Sequence, residues 1–331
     1  MQVSLNFADL PRVAVSRLVL RSQTDHEEPP MATRHSPTVR LRRLSLELRR
    51  LREQAELTLT EAARAAELPQ STLSRAETRQ WRQPNLAHIA RLLDVYGVSE
   101  KDQPEKRVEL LKLASEGRRR GWWANYGGVS QEYSTYVGLE AEATVLRNFE
   151  PTIIPGLLQT ASYARALISA RAPHLPPEAI DELVSLRVER QHRLFGEDPI
   201  QIWAIICETS LRSLVGGTAV MVEQLIRLHT VAQLPYVKLQ LLPFRAGAVP
   251  AQGPFAILTF ADPVDPEAVY LETPGGDLWV EDAEGVARFL GSWERLISVA
   301  MPVPDTLTVI AARAKYLDAK GGRGANDDQL A

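Results

Sequence analysis

Residues 58–77, TLTEAARAAELPQSTLSRAE, have the pattern of two short helices joined by a tight turn. Ala63 is small at the point where the two helices would cross closely, and Leu68 and Leu73 are apolar at positions expected to point inward. The second helix is predicted over residues 70–77, with Pro69 at or beside its first turn. The polar side chains that this leaves on the outer face are Gln70, Ser71, Thr72 and Arg75.

These four side chains have the chemistry that reads base edges in the major groove of DNA. Gln pairs with adenine N6 and N7, Arg pairs with guanine O6 and N7, and Ser or Thr adapts to a base or to phosphate. The alternative is that they form only a solvated helix face. Phosphate contacts, which set the register without reading sequence, are predicted for Thr58, Ser74, Arg79 and Arg82.

The flanking residues continue the helical pattern. Before the stretch, apolar residues recur at intervals of three and four. After it, Asn85 is predicted to cap a helix that ends at Gly97. Four or five short helices in some sixty residues predict a compact all-α bundle. The apolar positions of its first helix are Leu41, Leu44, Leu48 and Leu51.

Charge is distributed unevenly along the chain. The net charge of all 331 residues is −3, but residues 34–82 contain eleven arginines and six glutamates, which is a local charge of +5. The remainder is therefore near −8. A basic module joined to an acidic one favours a DNA-binding domain attached to a domain with another task.

At this point residues 41–98 resemble the Cro/C1-type (Xre family) helix-turn-helix of phage and bacterial repressors, most clearly in STLSRAE at residues 71–77. The resemblance implies that Gln70, Ser71 and Arg75 occupy base-reading positions. It also implies that Arg52 of the first helix pairs with Glu77 at the end of the recognition helix.

Two residues depart from that family's pattern. Leu59 stands where the family has a glutamine that contacts phosphate, and Glu67 stands where it has the glycine of the turn. Glu67 must therefore adopt the turn without the conformational freedom of glycine. We expect these departures to affect DNA affinity more than the fold.

The domain organisation predicted from these patterns is an α+β multidomain chain. A disordered arm (1–36) precedes the all-α DNA-binding domain (37–99), which we call the reader. An α+β regulatory or partner-binding domain with a mostly antiparallel sheet follows (104–318), and a disordered tail (319–331) ends the chain. Translation that starts at Met1 and translation that starts at Met31 fit the sequence equally well. A helix is predicted over residues 130–147, and Gly275-Gly276 predicts a β-hairpin. Strands are predicted at residues 200–207, 237–244, 255–260, 269–273 and 278–282.

Residues 105–315 are similar to the C-terminal domain that follows such readers in many actinobacterial regulators, including antitoxin-like and WhiJ-like proteins. The most specific element is FEPTIIPGLLQT at residues 149–160. The resemblance implies a possible small partner protein that is encoded nearby.

No pattern in the chain predicts catalysis, a metal or a cofactor. The six histidines are scattered without metal-ligand spacing, and His192 is interpreted as a helix-surface residue. The single cysteine, Cys207, lies in an apolar run and is interpreted as a buried, reduced thiol.

Trp122 and Trp123, in RRRGWWANYGG at residues 118–128, have two interpretations. They seal the core of a domain, which we favour, or they form a weak partner surface. Stacking on nucleic acid is a further alternative.

The sequence predicts a sequence-specific transcription regulator that is not an enzyme. We expect it to be cytoplasmic, because no apolar run approaches the length of a membrane span and no signal peptide is evident. One recognition helix reads few base pairs, so we predict a homodimer, held through residues beyond 104, on an inverted-repeat operator in double-stranded DNA. The alternative is an antitoxin-like protein that neutralises a small partner and autoregulates its operon.

Overall fold

The computed structural model describes residues 37–78, 84–118, 121–126, 130–262, 265–273 and 276–321. These residues form two compact units. The first contains the described residues from 37 to 125 together with 130–142, and the second contains residue 126 and the described residues from 143 onward. The multidomain α+β class predicted from the sequence is confirmed. The arm and tail predicted at the two ends lie outside the described residues, except for residues 319–321, which are helical.

Every regular secondary-structure element in the described part of the first unit is a helix. Its boundaries follow local signals: Asn85 Oδ1 accepts a hydrogen bond from the Ala87 amide at 2.9 Å, and Gly97 ends the same helix with φ of 75°. A short 3-10 helix spans Trp122–Asn125. The α-helices are α1 (Pro37–Gln54), α2 (Leu59–Ala65), α3 (Gln70–Glu77), α4 (Leu86–Val95), α5 (Pro104–Glu116) and α6 (Gln131–Glu142).

The leucines of α1 form the centre of the core of the first unit. Leu44 and Leu48 are fully buried and pack with Ala63 of α2, Leu73 of α3 and Leu92 of α4. Burial of each large apolar side chain contributes roughly 1.5–3 kcal/mol to folding. Three of the four predicted apolar positions of the first helix, Leu44, Leu48 and Leu51, lie in this core, and Leu41 is only partly buried. The small residue predicted at the crossing, Ala63, is buried in the same core.

Helix α5 belongs to the first unit, although the sequence placed residue 104 at the start of the second domain. Leu110 and Ala114 are buried in the same core as the α1 leucines. Arg107 is also buried, and its Nη1 donates to Asp94 Oδ1 at 2.7 Å and to the Val98 carbonyl at 2.9 Å. Residues 96–103, between α4 and α5, therefore fold α5 back onto the bundle.

The second unit is built on a six-stranded mixed sheet. The strand order is β3-β2-β1-β4-β5-β6, in which the β1–β2 and β2–β3 pairs are parallel and the other three pairs are antiparallel. The mostly antiparallel sheet predicted from the sequence is thus confirmed, with a parallel portion at one side. The strands are β1 (Val145–Glu150), β2 (Gln201–Cys207), β3 (Val237–Leu242), β4 (Phe255–Thr259), β5 (Ala268–Leu271) and β6 (Leu278–Val280).

One secondary-structure prediction was wrong at the centre of this sheet. The helix predicted over residues 130–147 ends at Glu142, and its last predicted residues begin strand β1. Phe149 of β1 lies opposite Ile205 of β2 and Phe255 of β4. A central strand gains its stability from two neighbours that are distant in sequence, so tertiary pairing overrode the helical pattern.

The predicted hairpin is confirmed by the pairing of Val269 in β5 with Val280 in β6. Gly276 has φ of 119°, a conformation that residues with a Cβ rarely adopt. Gly275 lies outside the described residues.

The described part of the second unit also contains six α-helices and three short 3-10 helices. Trp293 and Leu296 of α11 pack against Phe149, Ile205 and Ile257, which lie on one face of the sheet. Among the described residues no single helix is long and apolar enough to cross a membrane, and α11 with α12 passes that test only as a pair bent by 69°. The helices are α7 (Ala161–Arg171), α8 (Pro177–Arg190), α9 (Glu208–Arg212), α10 (Thr218–Val231), α11 (Ala283–Val299) and α12 (Val303–Gly321).

Three buried glutamines hold the segment FEPTIIPGLLQT in place. Gln159 Nε2 donates to the Ile154 carbonyl at 2.7 Å, Gln191 Nε2 donates to the Gln159 carbonyl at 2.7 Å, and Gln224 Nε2 donates to the Leu158 carbonyl at 2.8 Å. A buried backbone carbonyl needs such a partner, since leaving it unsatisfied costs about 1–3 kcal/mol. The most specific element of the sequence is therefore a rigid loop between β1 and α7.

Candidate nucleic-acid interface

Helix α3 presents one polar edge to solvent and buries the other. Leu73, Ala76 and Glu77 are buried. Three of the four predicted base-reading side chains, Gln70, Ser71 and Arg75, are exposed, while Thr72 and the predicted phosphate contact Ser74 are partly buried. The structure therefore brings the predicted reading side chains to one accessible edge of one short helix.

The turn between α2 and α3 forms without glycine. Glu67 has φ of 53°, in the left-handed region, and the Leu68 amide donates to the Ala63 carbonyl at 2.8 Å, which closes the turn. The left-handed conformation costs a residue with a Cβ roughly 1–2 kcal/mol. The turn between α2 and α3 thus forms where the sequence predicts it. Its backbone strain lies at Glu67, the residue that replaces the glycine of the family's pattern.

Thr58, a predicted phosphate contact, caps helix α2. Its hydroxyl donates to Glu61 Oε2 at 2.6 Å and accepts from the Glu61 amide at 3.2 Å, and its own amide donates to the same carboxylate at 2.9 Å. This reciprocal capping box places a negative charge beside the position predicted for a phosphate. The spacing Thr-x-x-Glu could have identified it from the sequence.

Arg52 and Glu77 join α1 to α3. Arg52 Nε and Nη2 donate to the two Glu77 carboxylate oxygens at 2.7 and 2.8 Å, and Arg52 Nη1 donates to the Leu57 carbonyl at 2.9 Å. The hydrogen bond to Glu77 raises the pKa of Arg52. Burial, and next the Glu77 carboxylate, raise the pKa of the nearby Tyr96 hydroxyl. The pair sets the position of the recognition helix against the bundle.

Most arginines of α1 are neutralised by carboxylates within the first unit. Arg75 differs: its Nε donates to the Ser71 carbonyl at 3.2 Å, and within the described residues no carboxylate pairs with it. Its charge is therefore available at the exposed edge of α3. The ion pairs of α1 are Arg40–Glu116 (2.9 Å), Arg43–Glu109 (2.8 Å), Arg49–Glu53 (2.9 Å), Arg50–Glu47 (2.8 Å) and Arg52–Glu77 (2.7 Å).

The remaining predicted phosphate contacts, Arg79 and Arg82, lie outside the described residues. Their positions in the chain are two and five residues after the end of α3 at Glu77. They stay predictions.

Trp123 is 7% exposed, which agrees with the interpretation that it seals the core of a domain. Trp122 is partly buried and packs edge-on against it, with ring centroids 5.8 Å apart. Of these two tryptophans, Trp122 is therefore the one with surface that a partner could contact.

The other titratable residues singled out from the sequence, Cys207 and His192, lie in the second unit. Cys207 is buried, and burial raises the pKa of its thiol to about 11. His192 lies on the surface, where its Nδ1 contacts Glu189 Oε1 at 3.2 Å and this hydrogen bond raises the pKa of the imidazole. In the described part of the chain no group of three or more His, Cys, Asp or Glu residues could hold a metal ion.

A helix-turn-helix is a class of DNA-binding domain, and the comparisons with known families agree with this assignment. The family model described as a helix-turn-helix domain matches residues 43–105. A second family model, described as a domain of unknown function (DUF5753), matches residues 133–312, which is more than half of the chain. The chain belongs to this DUF5753 family, with a helix-turn-helix domain before the family domain. No curated protein and no solved structure matches it.

Proposed function

We propose that this protein is a sequence-specific transcription regulator of the Cro/C1 (Xre) kind that reads double-stranded DNA by placing α3 in the major groove. The observation that carries the proposal is the exposed edge formed by Gln70, Ser71 and Arg75 on a helix whose other edge is locked by Arg52 and Glu77. Gln and Arg at one accessible edge match the acceptor and donor patterns of adenine and guanine. Ser74 and the cations that follow α3 are suited to phosphate contacts.

A single reading helix of eight residues contacts too few base pairs to define one genomic site. We therefore infer a homodimer on an inverted repeat whose half-sites lie about one helical turn, roughly 34 Å, apart. Since α5 and α6 belong to the reader, we assign dimerisation to the residues from 143 onward and effector or partner sensing to the same unit.

A genome-wide map of binding, followed by footprinting on the recovered sites, tests this proposal. It predicts an inverted repeat protected on one face of the duplex, with two protected half-sites about one turn apart. A Gln70→Ala variant is expected to change base preference within each half-site, while its folding stability stays that of the wild type. Binding without base preference, or protection of a single half-site, would contradict it.

The antitoxin-like alternative predicts a different outcome of the same work. A small protein that copurifies with the full chain, and whose release leaves DNA binding intact, would favour it. In that case Trp122 is the residue to substitute, because it is one of the two residues of the predicted partner surface and is only partly buried.

A further inference from the structure

The hydroxyl of Tyr96 is buried and has no hydrogen-bond partner among the described residues. Tyr96 directly follows α4, is 7% exposed, and belongs to the same buried core as Leu48 and Leu73. Taking a hydroxyl out of water without giving it a partner destabilises the folded state. Such groups are rare in native cores, so this one requires a physical reason.

The Tyr96 hydroxyl lies close to the ion pair that joins α1 to α3. Burial has the largest effect on the pKa of Tyr96, which it raises; the Glu77 carboxylate raises this pKa further and the Arg52 guanidinium lowers it. Both charges of the pair therefore act on the hydroxyl. Arg52 carries only donors, whereas the carboxylate of Glu77 carries only acceptors. Glu77 is thus the member of the pair that can accept a hydrogen bond from Tyr96.

Glu77 has capacity for this additional hydrogen bond. Each of its two carboxylate oxygens accepts one bond from Arg52, at 2.7 and 2.8 Å. A carboxylate oxygen has two lone pairs, so each oxygen can accept a second donor. The bond from Tyr96 therefore requires a shift of Glu77 relative to Tyr96, and it does not require the loss of a contact with Arg52.

DNA binding is expected to act on α3 at the end where Glu77 lies. The predicted phosphate contacts, Arg79 and Arg82, follow Glu77 by two and five residues. Phosphates bound there would pull on the segment that follows Glu77. They would also add negative charge near its carboxylate, and a carboxylate among negative charges is stabilised by a further hydrogen-bond donor.

We propose that Tyr96 is a positioning residue of the recognition helix, whose hydroxyl donates a hydrogen bond to Glu77 when α3 lies in the major groove. This inference rests on the reading of DNA by α3 proposed above, and it adds a buried residue that DNA does not reach. The hydroxyl is unfavourable in the free protein and favourable in the complex. Its effects on stability and on operator affinity therefore have opposite signs.

Tyr96→Phe in the full chain tests these signs, because it removes only the hydroxyl. Without DNA, amide hydrogen exchange in the core of the first unit is expected to slow about tenfold, since an unsatisfied buried group is lost. The variant is expected to bind the operator about tenfold more weakly, and random DNA almost unchanged, at one fixed salt concentration. Tyr133→Phe, the same change in α6, is the matched control and is expected to leave operator affinity unchanged.

The hydrogen bond itself is detected by NMR of the full chain with an isotope label at the ζ carbon of its eight tyrosines. This carbon carries the hydroxyl, so its resonance responds to a hydrogen bond at that group. The resonance missing from Tyr96→Phe identifies Tyr96. It is expected to shift when the operator is added and to stay in place with random DNA.

The outcomes separate this inference from the proposed function. If Tyr96→Phe binds the operator like the wild type, or if the resonance of Tyr96 does not move, the role of Tyr96 is overturned and base reading by α3 stands. Faster hydrogen exchange in the free variant together with weaker binding would show that the hydroxyl only supports the fold, which also overturns the inference. A wild type without base preference would overturn both proposals.

Discussion

Arg52 and Glu77 form a two-pronged ion pair that crosses from the first helix of the reader to the end of its recognition helix. The pair is largely removed from water, since the Arg52 side chain is 13% exposed and the Glu77 side chain is 4% exposed. Arg52 also donates a hydrogen bond to the Leu57 carbonyl, which lies in the turn between α1 and α2. One guanidinium of α1 therefore contacts both this turn and helix α3. The orientation of the reading edge depends on this contact.

Arg52→Ala is expected to lower the free energy of unfolding of the first unit by on the order of 3–5 kcal/mol, because it leaves Glu77 buried without its partner. Replacing both residues, Arg52→Met with Glu77→Leu, is expected to recover much of that loss. Thermal or urea melts of both variants check this. A single variant that melts like the wild type would show that the pair contributes nothing to stability.

Glu67→Gly is expected to stabilise the reader by about 1 kcal/mol, because glycine adopts φ of 53° without the steric cost that glutamate meets there. The side chain itself contributes little, since it is 86% exposed and only approaches Arg91, at 3.7 Å. The control is Ala65→Gly, at an exposed position of α2 whose φ is not positive, which is expected to destabilise. Equal effects of the two changes on the melting temperature would contradict the strain at Glu67.

Glu150 is expected to make the stability of the second unit depend on pH near neutrality. Burial, and next the Glu272 carboxylate, raise its pKa to about 7, against the opposing effect of Arg171. A carboxyl whose pKa is higher in the folded state binds its proton more tightly there, so its stabilising contribution is complete below about pH 4.5. That contribution is lost as the pH rises through 7 and amounts to at most about 3 kcal/mol.

Glu150→Gln is therefore expected to flatten the dependence of the melting temperature on pH between 5 and 8, and to raise the melting temperature at pH 8. Glu178→Gln, an exposed change on α8, serves as the control. If Glu150→Gln and the wild type show parallel pH profiles, Glu150 has an ordinary pKa.

A reader fragment that ends at residue 100 is expected to fold poorly, whereas one that ends at residue 142 is expected to fold. The shorter fragment lacks Leu110, which is 2% exposed in the core, and removing one such leucine side chain costs about 2–5 kcal/mol. It also lacks Glu109 and Glu116, the partners of Arg43 and Arg40. Circular dichroism melts of both fragments check this, and equal stability would place α5 outside the folding unit.

Helices α3 and α4 of the reader could be predicted closely because their signals are local. The limits of α3 agree with the prediction at both ends, and Asn85 and Gly97 bound α4 as expected. Caps, turn residues and helical periodicity each act within a few residues of the chain. The tertiary structure therefore keeps the helix boundaries that these local signals predict.

The features that sequence reasoning missed depend on distant partners. Residues 145–147 were predicted as the end of a helix because nothing local shows that β2 and β4 will flank this segment. The buried glutamines had no local signal either, since an isolated Gln191 on a helix resembles any surface residue until its carbonyl partners are known. The burial of Leu110 against α1 was hidden in the same way behind a linker-like composition.

The central claim, that α3 reads bases, is tested most directly by the affinity of Arg75→Ala for its operator and for random DNA at one fixed salt concentration. We predict that the variant loses roughly 1–3 kcal/mol on the operator, with relaxed preference at one base position in each half-site, and almost nothing on random DNA. Arg79→Ala is the matched comparison, expected to weaken both DNAs alike and to reduce the salt slope by about one. An equal loss on operator and random DNA for Arg75→Ala would contradict base reading by this helix.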